Sequence, residues 1–401
     1  MNNAHRMYLR TIGDVYLPGK FADVVSTDAP LKLFGPKELN QLNRIFKHLH
    51  KGGIAVTSGS WDKILEIFDY LERKKHEFAT LRSPAKEERR NPVYRKRSDH
   101  WYERHYQRVL SHIMVIAQDD RLPYVEPDIH IQYLSQLLGE PSGANDGLPF
   151  LIPVSAIQKI ESDMKKTHYV SALEADIVAH SNVLQPLSQD TVELLEGSLQ
   201  KIEQSVGPPR KNLKILDMGC GCGVLSLLAA KVFGDHNIRI TATDILPEAI
   251  ATTKINVQRF ADMSKLAASA TIETTDGGDL FEPVGNRRFD LIIFNAPWVV
   301  SEPQSRAEMA ICDAGQSTVR RFLHECPQRL EQDGRVVLSY SDHSGLEALE
   351  NLESMIEEAG LKIENASKMR VQTRSQKHKW EAIIVYTLVS SPHAHQRGGS
   401  S

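Results

Sequence analysis

With 401 residues, 41% of them hydrophobic and 25% charged, the chain has the composition of an ordinary globular protein and the length for two cores. A net charge of -3 provides no global field toward nucleic acid or an anionic membrane, and the longest apolar runs are too short to span a bilayer. The N-terminal stretch MNNAHRMYLRTIGDVYL lacks an apolar signal core, and four cysteines suggest neither a disulfide framework nor a metal cluster, so a cytoplasmic protein with reduced thiols and no metal is expected.

In chain order, GPKELNQLNRIFKHLHKGG predicts a helix with Leu39, Leu42, Ile45, Phe46 and Leu49 on one face and a Gly-Gly stop. SWDKILEIFDYLERKKHEF predicts a second, capped by Ser60, with Ile64, Leu65, Ile67, Phe68 and Leu71 apolar. Between Arg73 and Arg108 twelve basic residues meet five acidic ones, with Tyr94, Trp101, Tyr102 and Tyr106 interleaved. One reading of this stretch is contact with RNA, a ribosome-bound partner or an acidic substrate. The favoured reading is a solvated loop and an amphipathic helix, because the rest of the chain offsets the charge. His48, His50, His100 and His105 show no ligand spacing. The segment 139–149, GEPSGANDGLP, reads as a loop, and VSAIQKIESDMKK and DTVELLEGSLQKIEQ as further helices.

Residues 1–175 are therefore expected to form a mostly helical N-terminal domain with a few strands, suited to substrate recognition, and 176–206 a connecting helical segment. After SVGPPRKN, strand-like runs such as LKILDMG, IRITATDI, FDLIIFNAP and RVVLSYS alternate with helical patterns. That alternation predicts a doubly wound α/β domain over 207–390. The tail, 391–401, is expected to be disordered. No internal repeat is visible.

The stretch KILDMGCGCGVLSLLAA carries the most chemistry. A strand ends at Asp217, and Gly219, Gly221 and Gly223 lead into a helix, letting the backbone approach a ligand closely at a helix N-terminus. The dinucleotide pattern of a NAD-dependent oxidoreductase would need glycine at 224 or 226, where Val224 and Ser226 stand. An acid two residues before the first glycine suits a cationic amino group better than a pyrophosphate. The segment resembles the glycine motif of the Rossmann-like methyltransferases, which implies S-adenosylmethionine as cofactor. Asp244, with Ile245 beside it, stands where a carboxylate can accept both ribose hydroxyls. The resemblance places Asp279 at the adenine amine and Leu280 against the ring.

At the end of FDLIIF, Asn295, Ala296, Pro297 and Trp298 resemble the N-P-P-Y loop of methyltransferases that act on planar nitrogens. An amide nitrogen is a poor nucleophile because its lone pair is delocalised. An Asn side-chain oxygen and the next carbonyl can accept its N–H hydrogens and aim the lone pair at a methyl donor. An aromatic ring would stack on the planar group, and Trp298 is a strong cation–π partner. Ala296 gives up proline's fixed φ, a loss of about 0.4–1 kcal/mol, although Pro297 still biases residue 296 toward extended backbone.

VLQPLSQDTVELLE, ahead of the glycine motif, resembles a segment of the release-factor glutamine methyltransferases, the HemK-like group, where it covers the cofactor; Asn256, DLFEPV and EQDGRVVLSYSDHS fit the same group. The resemblance covers about 180–390. It departs at Gln185, Leu187, Ala296, Trp298 and CDAGQS, and finds no counterpart for the N-terminal half. The expectation is an S-adenosylmethionine-dependent N-methyltransferase of a planar or cationic nitrogen. A small amine, guanidine or amino acid such as arginine is preferred, with Glu302, Glu308 and Asp313 available to a cationic acceptor. Protein glutamine and a nucleobase amine are the alternatives, and a non-catalytic RNA- or protein-binding module is the reading from another class. The partner is thus a small molecule or a protein, with nucleic acid less favoured, no membrane, and the oligomeric state open.

Overall fold

The computed structural model describes residues 5–9, 12–22, 29–75, 77, 103–140, 147–186, 188–207, 212–372 and 380–391. Most of the basic stretch with Tyr94, Trp101 and Tyr102, together with His100, Leu187 and the tail from 392, lies outside the described residues. Two compact units are present, Met1–Ser135 with Gly143–Ser162, and Gln136–Ser142 with Asp163–Ser401.

The first unit is built on a six-stranded mixed sheet, which corrects the expectation of a mostly helical domain. Its strands are β1 (His5–Leu9), β2 (Gly13–Leu17), β3 (Leu31–Phe34), β4 (Ile54–Thr57), β5 (Ile113–Ala117) and β6 (Phe150–Pro153), in the order β1-β2-β6-β5-β4-β3. β3, β4 and β5 run parallel, and β6 is antiparallel to β5. IAVT, IMVIA and FLIP are buried at every position, so they carry no alternation, and four or five apolar residues give no usable period. The helices α1 (Leu42–His50) and α2 (Trp61–Arg73) form as the pattern predicts, burying Ile45, Phe46 and Leu49, and Ile64, Ile67 and Leu71. Ser60 occupies the position before α2, but its hydroxyl makes no capping bond. Helix α3 (Val154–Lys165) follows β6.

The second unit begins with a hairpin, β7 (Thr167–Val170) and β8 (Ala175–Val178), and helix α4 (Gln189–Val206), whose N-terminus is capped by Ser188 Oγ accepting from Thr191 N–H at 3.2 Å. Then come β9 (Leu213–Met218), α5 (Val224–Val232), β10 (Ile238–Thr243), α6 (Pro247–Asp262), β11 (Ala270–Thr274) and β12 (Phe289–Asn295). The unit closes with α7 (Ser317–Glu325), β13 (Leu330–Ser341), α8 (Leu346–Glu358), β14 (Leu361–Gln372) and β15 (Trp380–Ser390). The sheet order is β11-β10-β9-β12-β13-β15-β14; the first five strands are parallel, and β15 is inserted antiparallel between β13 and β14.

Side chains of the central strands alternate between two cores. Ile215, Leu291, Ile293 and Val337 pack with α4, α5 and α6, while Leu216, Ile292, Phe294 and Leu338 pack with α7 and α8. Strand order reverses between β9 and β12, and in such sheets a ligand sits beyond the carboxyl ends at that point. Both loops singled out in the sequence leave the sheet there.

Candidate active site

The turn after β9 is shaped by three left-handed glycines, Gly219 (φ 67°), Gly221 (φ 55°) and Gly223 (φ 83°). A Cβ on Gly223 would lie 3.1 Å from Thr253 Cγ2, so this glycine lets the turn pack on α6. A Cβ on Gly221 would meet nothing within 4 Å, so this backbone faces open space. The turn is fixed from below by Gly221 N–H donating to Asp244 Oδ2 at 2.9 Å and Thr253 Oγ1 donating to Gly221 O at 3.1 Å. Burial pushes the Cys222 thiol up to about 12 and raises Cys220 as well, so both thiols in the turn are neutral.

The turn borders a cavity of about 400 Å³. Gly219, Gly221, Asp244, Ile245, Asp279, Leu280, Asn295 and Pro297 all line it; Asp217, Gly223, Ala296 and Trp298 do not. Asp217 is fully buried one residue before Met218, which is part of the lining. Its Oδ2 accepts from Ser226 Oγ at 2.5 Å, while its Oδ1 is buried without a partner. Burial raises the carboxyl to about 7, against the pull of the Ser226 hydrogen bonds and with some help from the Asp244 charge.

Asp244 uses one oxygen for Gly221 N–H and the other for Leu246 N–H, both at 2.9 Å, which fixes the plane of its carboxylate at the cavity wall. Burial raises its pKa while these hydrogen bonds lower it. Asp279 is held by Arg321 of α7 in a two-pronged pair, Nη1 to Oδ2 at 2.5 Å and Nη2 to Oδ1 at 3.2 Å. Leu280 beside it has φ 46°, a strained value for a non-glycine residue, at the cavity surface.

Asn295 ends β12 opposite Ser339 of β13. Its Oδ1 is buried and has no hydrogen-bond partner. Ala296 is fully buried, its N–H donating to Ser339 O at 3.3 Å. Trp298 does not line the cavity: its partly buried side chain packs against the α7–α8 core, and its carbonyl accepts from Ser344 Oγ at 3.0 Å. Just beyond it, Val299 pairs with the 311–313 segment through bonds of 2.8 Å on both sides.

Asp313 lines the cavity, but its carboxylate is engaged in capping. It is buried and caps α7, accepting from Thr318 N–H at 2.9 Å and Val319 N–H at 3.1 Å. Glu308 accepts from Gln304 N–H at 2.7 Å, and Glu302 remains at the cavity wall.

Two groups escaped the sequence reading. Arg321 sits in the unremarkable helix pattern STVRRF, and only the fold brings it to Asp279. The second is Glu248 in the first turn of α6, whose side chain is 1% exposed. It accepts from Arg306 Nη2 at 2.9 Å and from Asn182 Nδ2 at 3.3 Å. Arg306 belongs to the segment after the acceptor loop and Asn182 adjoins 183–186, and both segments contribute to the cavity wall. Gly139 (φ +79°) completes the clamp, because a Cβ there would lie 2.7 Å from Glu248 Oε1. No described helix is long and apolar enough to cross a membrane.

A seven-stranded sheet of this order, with a glycine turn and an Asn-x-Pro loop at its switch point, defines a Rossmann-like methyltransferase domain. The methyltransferase small domain model matches residues 198–371, and this region is a class I methyltransferase domain with S-adenosylmethionine as its cofactor. A ribosomal protein uL3 glutamine methyltransferase of Bradyrhizobium diazoefficiens is 34% identical over 134 residues, 31% of this chain and 39% of that protein. A Methanocaldococcus jannaschii protein assigned as an N5-glutamine methyltransferase is 26% identical over 199 residues, 48% of this chain and 87% of its own length. A release factor glutamine methyltransferase of Bordetella pertussis is 24% identical over 184 residues, 43% of this chain and 61% of that one. The match to the uL3 and release-factor enzymes thus spans less than two thirds of their length.

The residues present fit the cofactor. The orphaned Asp217 oxygen lies close to the turn for a cationic amino group, Gly221 leaves backbone open to it, and Asp244 is a fixed acceptor at the wall.

Proposed function

We propose that the chain transfers a methyl group from S-adenosylmethionine to the side-chain amide nitrogen of a glutamine in a protein. The observation that carries this reading is the buried, unpartnered Oδ1 of Asn295 at the wall of the cofactor cavity. A buried acceptor without a donor is costly, so the site is tuned to a ligand that brings an N–H. A glutamine amide brings two.

The cofactor supplies an electrophilic methyl on a positively charged sulfur. Asn295 Oδ1 accepts one amide N–H of the acceptor, which fixes the amide plane and leaves the nitrogen lone pair to face the donor. As the N–C bond forms and the sulfur–methyl bond breaks to leave a neutral thioether, the nitrogen becomes positive, and the carbonyl-type oxygen of Asn295 stabilises that charge before a proton is lost to solvent. Asp217 and the glycine turn hold the amino-acid end of the cofactor, Asp244 its ribose, and Asp279 with Leu280 its adenine. Ala296 and Pro297 set the position of Asn295, with the Ala296 N–H anchored on Ser339.

The preference for a small cationic acceptor is withdrawn. It leaned on Trp298 as a cation–π partner and on Asp313 as a receiving acid; the first is off the cavity lining and packs partly buried against the α7–α8 core, and the second, at the wall, uses its carboxylate to cap α7. The three relatives described above point the same way, since they are named for glutamine methylation. A translation factor or ribosomal protein as acceptor would place the reaction in the cytoplasm.

The test is a competition among acceptors. The purified chain is offered labelled S-adenosylmethionine with a glutamine-bearing release factor, ribosomal protein uL3, RNA and free arginine together. Label in either protein supports the reading; label in arginine or RNA alone overturns it.

A further inference from the structure

Trp298 leaves the cavity without the aromatic expected of the acceptor loop, and a different ring lines it, that of Phe294. Phe294 is the residue before Asn295 and is 4% exposed. Its ring is held by Phe322 of α7 at 4.5 Å between centroids and 48° between planes, and Phe322 is stacked on Phe281 at 5.5 Å and 14°. On its other side the ring reaches the glycine turn, where a Cβ on Gly219 would lie 3.5 Å from Phe294 Cε2. The chain thus fixes an aromatic ring at the cavity lining, beside the first glycine of the turn and next in sequence to the acceptor asparagine.

A sulfonium is a cation with no N–H or O–H to donate, so hydrogen-bond acceptors recognise it poorly. The groups that favour it are negative charge at short range and the negative face of an aromatic ring. The carboxylates near the turn have other assignments, Asp244 with two backbone N–H groups and Asp217, beneath the lining, with the amino group of the cofactor in the reading above. We propose that Phe294 is the residue that recognises the positive sulfonium of the methyl donor and distinguishes it from the neutral thioether of the product. In this arrangement the charge lost on methyl transfer removes the attraction and favours product release. The inference rests on S-adenosylmethionine as cofactor and is independent of which nitrogen accepts the methyl.

The test compares the dissociation constants of S-adenosylmethionine and S-adenosylhomocysteine by calorimetry. Three proteins are used, the unaltered chain, Phe294→Leu, and the chain with 3,4,5-trifluorophenylalanine at position 294. The fluorinated ring keeps the shape and packing against Phe322 while weakening the π face, so it remains informative even where Phe294→Leu fails to fold. The expected result is a preference for the charged donor over the product that falls about three- to tenfold in both variants, with product affinity nearly constant. Equal weakening of both ligands, or no change in either, overturns the inference and leaves the cofactor assignment standing. If the unaltered chain binds neither ligand, the cofactor assignment fails and the inference falls with it.

Discussion

Asp217 is a carboxyl with an ordinary value of 3.8, raised by burial to about 7, and it has one oxygen without a partner. The folded chain therefore holds this proton more tightly than the unfolded chain does. Its contribution to stability is full below the ordinary carboxyl value, is lost as pH rises toward 7, and amounts to about 4 kcal/mol across that interval. A cationic amino group arriving at the glycine turn reverses the preference, since the ionised carboxyl is then the favoured form. Cofactor binding and proton release are thus linked. Between about pH 7 and about pH 5.5 the ionised fraction of a group with this pKa falls roughly fifteenfold, and cofactor affinity should fall with it. The range stays below the ionisation of the cofactor's own amino group. The assay is isothermal titration of S-adenosylmethionine across that range in buffers of different ionisation enthalpy, which also counts the protons released. Asp217→Asn should bind weakly at every pH, with the dependence flattened. An affinity that is level over the range, or a dependence that survives in Asp217→Asn, would refute the assignment of this carboxyl to the cofactor's cation.

Other perturbations separate the parts of the site. Asn295→Ala should lower turnover by about 10²–10³-fold with cofactor affinity within about twofold of the unaltered chain, measured by single-turnover kinetics and calorimetry. Gly139→Ala keeps every charge but drives a methyl onto Glu248 Oε1; faster cofactor dissociation in stopped-flow displacement, shared by Arg306→Gln, would support the clamp on the cavity walls. Arg321→Ala removes a half-exposed ion pair, so stability should change by less than about 1 kcal/mol while the cofactor Kd rises a few-fold. Trp298→Ala should act on the core, costing about 2 kcal/mol in denaturant melts, with little selective loss of acceptor affinity.

The second unit was legible because its signals are chemical as well as periodic. Glycines at alternate positions behind Asp217, an acid after the next strand, and Asn295 with Pro297 after FDLIIF each occupy a place that only one sheet architecture brings together. The first unit had no such aid. Its short central strands are buried at every position, so IAVT and FLIP look like fragments of anything, while the amphipathic faces of α1 and α2 dominated the reading. Side-chain direction was the other blind spot. Trp298 packs partly buried against the α7–α8 core, next to the pairing of Val299 with residues 311 to 313, and both are contacts between segments that local pattern does not encode. Arg321 and Glu248 were missed for the same reason, because each acquires its partner through the fold.

The central claim is tested most directly by locating the methyl group itself. The 401-residue chain is incubated with a glutamine-bearing release factor or ribosomal protein uL3 and methyl-labelled S-adenosylmethionine, and the acceptor protein is fragmented by tandem mass spectrometry. The account predicts a single labelled methyl on the amide nitrogen of a glutamine, absent with Asn295→Ala. Label on an arginine, a lysine or an N-terminus, or transfer that persists undiminished in Asn295→Ala, would contradict it.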